Sequence, residues 1–224
     1  MIVAIDGPSG VGKSTVARRL ARRLDIPYLE TGAMYRVLAF EVLRQGVDPD
    51  DQEAVAEVFS DLDLRLEPRG DGRLEVLLNG EPLGDRIREP EVSEASSQVS
   101  VHPEVRRKMV TLQRALAQET GAVLEGRDIG TKVFPESPFK FFLEAPMEVR
   151  VERRFNQLRE SGRTSSSRKE VGEEVTRRDF RDTTRADSPL TLDATYEKVE
   201  TGDLDVDEVV EEIVRRIGEI SKQH

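Results

Sequence analysis

The 224-residue chain contains no cysteine and only two histidines. Without cysteine, disulfides, thiolate zinc sites and thiol nucleophiles are all excluded. Aromatic residues are scarce at 5%, and 34 basic residues face 44 acidic ones for a net charge of −10, which argues against a general nucleic-acid-binding face. No apolar run reaches membrane-spanning length. The segment Met1–Asp6 lacks the basic region and long apolar stretch of a signal peptide, so a cytoplasmic protein without a membrane partner is expected. Neither histidine reads as catalytic: His102 precedes Pro103 at a helix start, and His224, the last residue, is expected to be disordered.

What is present describes a soluble globular chain, 37% hydrophobic and 35% charged, long enough for one sizeable core and a small accessory lobe. Charge is unevenly spread. Residues 50–95 carry 5 basic and 14 acidic side chains, whereas residues 150–190 carry 11 basic and 8 acidic ones. A confined basic stretch in an acidic protein suits a small polyanion, although a solvated helix laced with ion pairs would look the same.

Apolar runs at Ile2–Ile5, Tyr28–Leu29, Ala122–Leu124 and Phe139–Leu143 predict buried strands, and a further strand is expected near Tyr196 to Thr201. Between them, helical spacing predicts helices from Thr31 to Gln45, over Ala54 to Phe59 with an Asp50 or Asp51 cap, from Pro103 to Gly121, and from Pro146 to about Glu160. A further helix carries Val171 and Val175, and an amphipathic one carries Val206 to Ile220. Period-two alternation over Leu62–Leu66 and Arg73–Leu78, then Asn79-Gly80, predicts an antiparallel hairpin in a lobe spanning about 60 to 95. Glu125 to Thr131 reads as a polar loop, and Ser165-Ser166-Ser167 as a mobile one. Strands alternating with helices give an α/β fold with a parallel sheet.

Gly7-Pro8-Ser9-Gly10-Val11-Gly12-Lys13-Ser14 has the G-x-x-x-x-G-K-S pattern of a P-loop, and it lies where the mechanism needs it, after a strand and opening a helix. Its glycines let backbone N–H groups wrap phosphates at the helix N-terminus. Lys13 supplies a point charge for the β- and γ-phosphates, Ser14 offers its hydroxyl to Mg²⁺, and Thr15 reaches a phosphate beside them. No Asn-Lys-x-Asp guanine motif and no transporter signature Leu-Ser-Gly-Gly-Gln is present. A small phosphotransferase remains, or a nucleotide-gated switch.

Beside the P-loop stand Thr31-Gly32-Ala33-Met34-Tyr35-Arg36, Glu125-Gly126-Arg127-Asp128-Ile129-Gly130-Thr131, Arg178-Asp179-Phe180-Arg181-Asp182 and Arg185-Ala186-Asp187-Ser188-Pro189-Leu190. In this order and spacing the chain resembles the bacterial cytidylate kinases over nearly its whole length. Thr31 and Glu125 stand where such enzymes often have Ser and Asp. The resemblance implies a P-loop NTPase with a five-stranded parallel core, a nucleoside-monophosphate-binding lobe and a short lid. The core would span 1–35, 120–150 and 185–224, the lobe about 36–119 with its small sheet at about 60–95, and the lid about 151–184.

It also implies phosphorylation of CMP and dCMP from ATP with Mg²⁺; a monomer is expected. Arg36, Arg127 and Arg185 would bind the acceptor phosphate near Thr31 and Tyr35. Ser97, Arg106 and Asp128 would read cytosine, and Arg178 and Asp182 would sit near the sugar. Arg153, Arg154 or Arg163 would serve the lid, hinged over Arg163 to Arg168; Arg154 joins Lys13, Arg127 and Arg185 as the expected catalytic set. The chemistry suits this composition. A phosphate monoester with a second pKa of about 6 is already a nucleophile, so no strong base is needed, and arginine, lysine and Mg²⁺ carry such transfers. A kinase acting on UMP or AMP, or an ATP-sensing binding protein, are the alternatives.

Overall fold

The computed structural model describes all residues except 71, 73, 163–165, 223 and 224, so the expectations for Arg73, Arg163, Ser165 and His224 lie outside the described residues. The chain runs β1 (Ile2–Asp6), α1 (Lys13–Leu24), β2 (Tyr28–Glu30), α2 (Thr31–Arg44), α3 (Gln52–Ser60), β3 (Leu64–Pro68), β4 (Leu74–Leu78) and β5 (Glu81–Pro82). After a 3₁₀ turn at Gly84–Arg88 come α4 (Pro90–Val99), α5 (Pro103–Thr120) and β6 (Ala122–Gly126). A π turn at Ile129–Val133 leads to β7 (Phe139–Glu144), α6 (Met147–Glu160), α7 (Arg168–Thr184), β8 (Glu197–Glu200) and α8 (Val206–Ile220).

Five strands form one parallel sheet in the order β2-β6-β1-β7-β8, with β1 at its centre. Val3 and Ile5 of β1 are fully buried against Val16 and Leu20 of α1 and Val209 and Ile213 of α8. On the opposite face, Ala4, Leu29 and Leu124 pack against Ala117 of α5. Strands covered on both faces have no solvent side to alternate with, which is why they read as continuous apolar runs.

The accessory lobe has its own core, in which Val37, Leu38 and Val42 of α2 meet Val55 and Phe59 of α3, Leu78 of β4, and Val99 and Met109. Its three strands are antiparallel, ordered β3-β4-β5. Asn79 (φ 52°) and Gly80 (φ 82°) make the turn with the two left-handed residues that a type I′ hairpin requires. Asp51, not Asp50, caps α3, accepting from the N–H groups of Glu53 and Ala54.

Three sequence expectations need correction. The small sheet ends at Pro82, and residues 84–99 are helical. Ile87, Val92, Ala95 and Val99 recur at helical spacing toward the lobe core, with Pro90 in the first turn of α4. The loop at 125–131 is also more ordered than its polarity suggests. β6 continues to Gly126, and Phe134 N–H bonds back to the Ile129 carbonyl at 2.7 Å to close the π turn. Finally, Ser167 is a helix cap. It accepts from the N–H of Glu170, whose carboxylate accepts in return from the Ser167 N–H, a capping box that starts α7.

Candidate active site

β1 ends at the sheet's C-terminal edge, where open α/β sheets place ligands. Gly7 (φ 151°) follows at once, and a Cβ there would lie 2.5 Å from the Leu143 carbonyl oxygen, so the loop leaves the sheet where only glycine fits. α1 begins after Gly12 with no side-chain cap and no acidic residue in its first turn. Its N-terminal donors are therefore open to an anion. Lys13 is buried, with Nζ donating to the Pro8 carbonyl at 2.6 Å. Burial, and then the Arg127 guanidinium, hold its ammonium well below the usual lysine range. Thr15 lies outside the main cleft, in a recess shared with Gly12, Val16, Arg153, Thr201, Leu204 and Asp205. Arg153 spans that recess, donating to the Val11 carbonyl at 3.3 Å and to Thr201 Oγ1 at 3.1 Å.

One cleft joins Ser9, Gly10, Lys13 and Ser14 to eleven expected residues from elsewhere in the chain. Thr31, Tyr35, Arg36, Ser97, Arg106, Arg127, Asp128, Arg154, Arg178, Asp182 and Arg185 all line it. Seven segments, from the P-loop to the end of α7, thus meet in one place.

Guanidinium–carboxylate pairs hold the far side of this cleft. Arg127 Nε donates to Asp182 Oδ2 at 2.6 Å, and Arg185 Nη1 lies 3.4 Å from Asp182 Oδ1. Burial alone would raise the Asp182 carboxyl, yet Arg127, Arg178 and Arg185 together hold it below the usual range. Arg127 moves the opposite way. Its burial is opposed by the Asp182 charge, which keeps the guanidinium firmly protonated.

Deeper in, Arg106 donates to Asp128 Oδ2 at 2.5 Å and to the Ser100 carbonyl at 3.0 Å, with its guanidinium 5.6 Å from the centre of the Tyr35 ring. Arg185 approaches the other Asp128 oxygen at 3.6 Å. Ser97 Oγ is buried beside them without a hydrogen-bond partner. A buried hydroxyl without a protein partner in a polar pocket has hydrogen-bonding capacity to spare. The Thr31 hydroxyl is partly engaged, donating to the Glu125 carbonyl at 2.7 Å, and Arg154 pairs with Glu174 at 3.4 Å.

Sequence reasoning missed several residues. Glu30 accepts from both Arg36 and Arg88, the second at 3.0 Å. Its position, last in β2 and just before Thr31, is the signal that could have found it; Arg88 sits in no motif. Asp6 is fully buried and accepts from the N–H groups of Ile129 (3.0 Å) and Gly130 (2.9 Å) and from the Tyr196 hydroxyl (2.7 Å). Burial pushes its carboxyl up to about 6 against those three bonds.

The family model for cytidylate kinase matches residues 3–219. The chain belongs to the cytidylate kinase family. It is 43% identical over 220 residues to the cytidylate kinase of Caldanaerobacter subterraneus subsp. tengcongensis, spanning 98% of this chain and 96% of that protein. It is 47% identical over 218 residues to that of Corynebacterium glutamicum, spanning 97% and 94%. A solved structure of an uncharacterized protein from Eubacterium ventriosum ATCC 27560 shares the fold, with a TM-score of 0.55 at 17% identity, covering 98% of each chain. As a member of this kinase family, the chain is a phosphotransferase. Among the described residues no helix is long and apolar enough to cross a membrane.

Proposed function

We propose that the chain transfers the γ-phosphate of ATP to CMP and dCMP, giving CDP and dCDP. The observation that carries this reading is the buried Ser97–Arg106–Asp128 set, placed in the same cleft as Lys13 and the phosphate-binding arginines. Cytosine presents an amino donor and ring acceptors. Asp128 accepts from the amino group, Arg106 donates to the ring, and Ser97 completes the edge. Uracil would set a carbonyl against a carboxylate and leave buried groups unpaired, which such sites reject by large factors.

The donor triphosphate lies along Gly7–Thr15, with Lys13 on the β- and γ-phosphates. The recess beneath Arg153 takes its base. The acceptor phosphate sits among Arg36, Arg127 and Arg185, near Thr31 and Tyr35, with Arg178 and Asp182 toward the sugar. Arg154 approaches the transferred group from the lid. Holding both nucleotides in line and covering the charge on the migrating phosphoryl group is the main task, since the acceptor oxygen needs no strong base.

Among the described residues no group of three His, Cys, Asp or Glu side chains is placed to hold a metal. Ser14 lines the cleft beside Lys13 and would join the phosphate oxygens as a ligand to Mg²⁺ carried in on the nucleotide. When bound, the ion neutralises phosphate charge. The core at 1–35, 120–150 and 185–224, the lobe at 36–119 and the lid at 151–184 are the bodies expected to close around the substrates and exclude water.

A coupled assay of ADP release tests the reading, with ATP·Mg²⁺ and CMP, dCMP, UMP or AMP at equal concentration. CMP and dCMP should be turned over fastest. Asp128→Ala should lower kcat/KM for CMP by about 100-fold and lower that for UMP far less. Faster turnover of UMP or AMP by the parent enzyme would overturn the assigned base pocket.

A further inference from the structure

Asp179 lies between Arg178, which faces the acceptor cleft, and exposed Phe180. Its carboxylate points elsewhere. Oδ1 accepts from the N–H of Ser9, in the P-loop, at 2.9 Å. Oδ2 accepts from Arg150 of α6, and the same Arg150 Nη1 donates to the Ser9 carbonyl at 2.9 Å. Ser9 is thus held from both sides, its N–H by α7 and its carbonyl by α6. Ser9 and Arg150 are both buried, and the Asp179 side chain is 15% exposed.

The neighbouring residue tightens this joint. Gly10 has φ 75°, and a Cβ built there would lie 2.6 Å from the backbone oxygen of Arg150. Loop and helix therefore meet backbone to backbone, with no slack for a side chain. One turn further along α7, Asp182 holds Arg127 and Arg185. Residues three apart lie on neighbouring parts of one helical surface. A single helix thus carries the carboxylate that fixes the donor loop and the carboxylate that fixes the acceptor arginines.

We infer that Asp179 is a positioning residue for the donor site, which, with Arg150, sets the shape of the P-loop at Ser9 and ties that shape to the helix that holds the acceptor arginines. It touches no substrate. It acts on ATP through the Ser9 peptide, and the inference rests on ATP lying in the P-loop. A charge-assisted hydrogen bond to a buried N–H is strong enough to select one loop conformation from several. Losing it would leave the glycine-rich loop to sample conformations in which its N–H groups no longer converge on phosphate.

Steady-state kinetics of the full chain test this, varying ATP at saturating CMP and then CMP at saturating ATP. Asp179→Ala should raise KM for ATP about 10-fold and lower kcat, while KM for CMP changes less than about 3-fold. Asp179→Asn keeps an acceptor for the Ser9 N–H but drops the charge on Arg150, so it should recover most of the ATP affinity. KM for ATP within about 2-fold of the parent in Asp179→Ala would overturn the inference. So would an equal rise in both KM values, which is what a merely structural defect produces. Should the alanine protein not fold, Asp179→Asn and Arg150→Lys decide. The inference then requires KM for ATP to rise selectively in Arg150→Lys and to stay nearer the parent in Asp179→Asn, and it fails otherwise. A parent enzyme that turned over no monophosphate would instead count against the proposed reaction, which keeps the two failures apart.

Discussion

On the proposed donor side, phosphate would meet backbone. A glycine loop leaves the central strand, an uncapped helix offers its N–H groups, and Lys13 is the one cation embedded in the loop. On the proposed acceptor side it would meet side chains. Arg36, Arg127 and Arg185 arrive from α2, from the turn after β6 and from the end of α7, and each is already held by Glu30, Asp182 or Asp128. The donor loop is thus a contiguous object whose shape glycine permits. The acceptor site is a lattice of ion pairs whose shape exists only when distant segments have folded together. Backbone donors carry no net charge and need no counter-ion, whereas buried guanidiniums cannot be left unpaired.

The largest effect expected from breaking this contrast is at Arg127. Arg127→Met removes one of the cations proposed to hold the acceptor phosphate and takes from the buried Asp182 carboxylate its shortest partner, leaving it Arg185. kcat/KM for CMP should fall by about 1,000-fold. A loss under about 10-fold would mean that the lattice tolerates vacancies, as a backbone site would not.

The next concerns Asp6, which bolts the two halves together. It sits one residue before the P-loop and accepts from the backbone just after Arg127 and Asp128. Its carboxyl, pushed from the ordinary 3.8 up to about 6, is easier to protonate folded than unfolded. Its contribution to stability is therefore fully present below about 3.8 and lost as pH rises through about 6. Relative to Asp6→Asn, the parent should lose about 2 kcal/mol of unfolding free energy between pH 4 and pH 7.5. Urea titrations at the two pH values measure this, and a difference independent of pH would reject it. Asp182 has the opposite sign, because three arginines hold its carboxyl low; its contribution is present above the ordinary range and lost as pH falls through the lowered folded value.

The smallest effect lies at the lattice's wet margin. Glu94 of α4 pairs with Arg181 of α7 at 2.6 Å, the two side chains being 36% and 26% exposed. Glu94→Gln should change stability by less than about 1 kcal/mol in a denaturant titration, since solvent screens such pairs. A larger loss would show that the lattice behaves as one buried unit out to its rim.

The same contrast explains what could be read from the chain before folding. The donor loop was legible because Gly7 to Thr15 are consecutive and each residue type has a local reason. The parallel strands were legible from apolar runs, and the hairpin from Asn79-Gly80. The acceptor site was visible as motifs only through likeness to known sequences, because nothing local places Ser97 and Arg106 beside Asp128. Glu30, Arg88 and Asp179 escaped for the same reason: their partners lie 6 to 170 residues away, and a carboxylate looks identical in sequence whether it solvates a surface or orders a loop. Helix α4 was missed differently. Its apolar spacing was present, but the hairpin signal ahead of it extended the expected sheet too far.

One consequence of how α7 is fastened concerns the order in which its joints give way. The helix is tied to the P-loop through Asp179, to the acceptor arginines through Asp182, and to the accessory lobe through Arg181. The first two ties are buried and the third is wet, so the third is the weakest. Load applied between α7 and the lobe is therefore expected to part the Glu94–Arg181 pair before either buried tie. The helix is thus a shaft with a slip coupling at one end, where the wet pair is the joint expected to yield while the two buried joints hold.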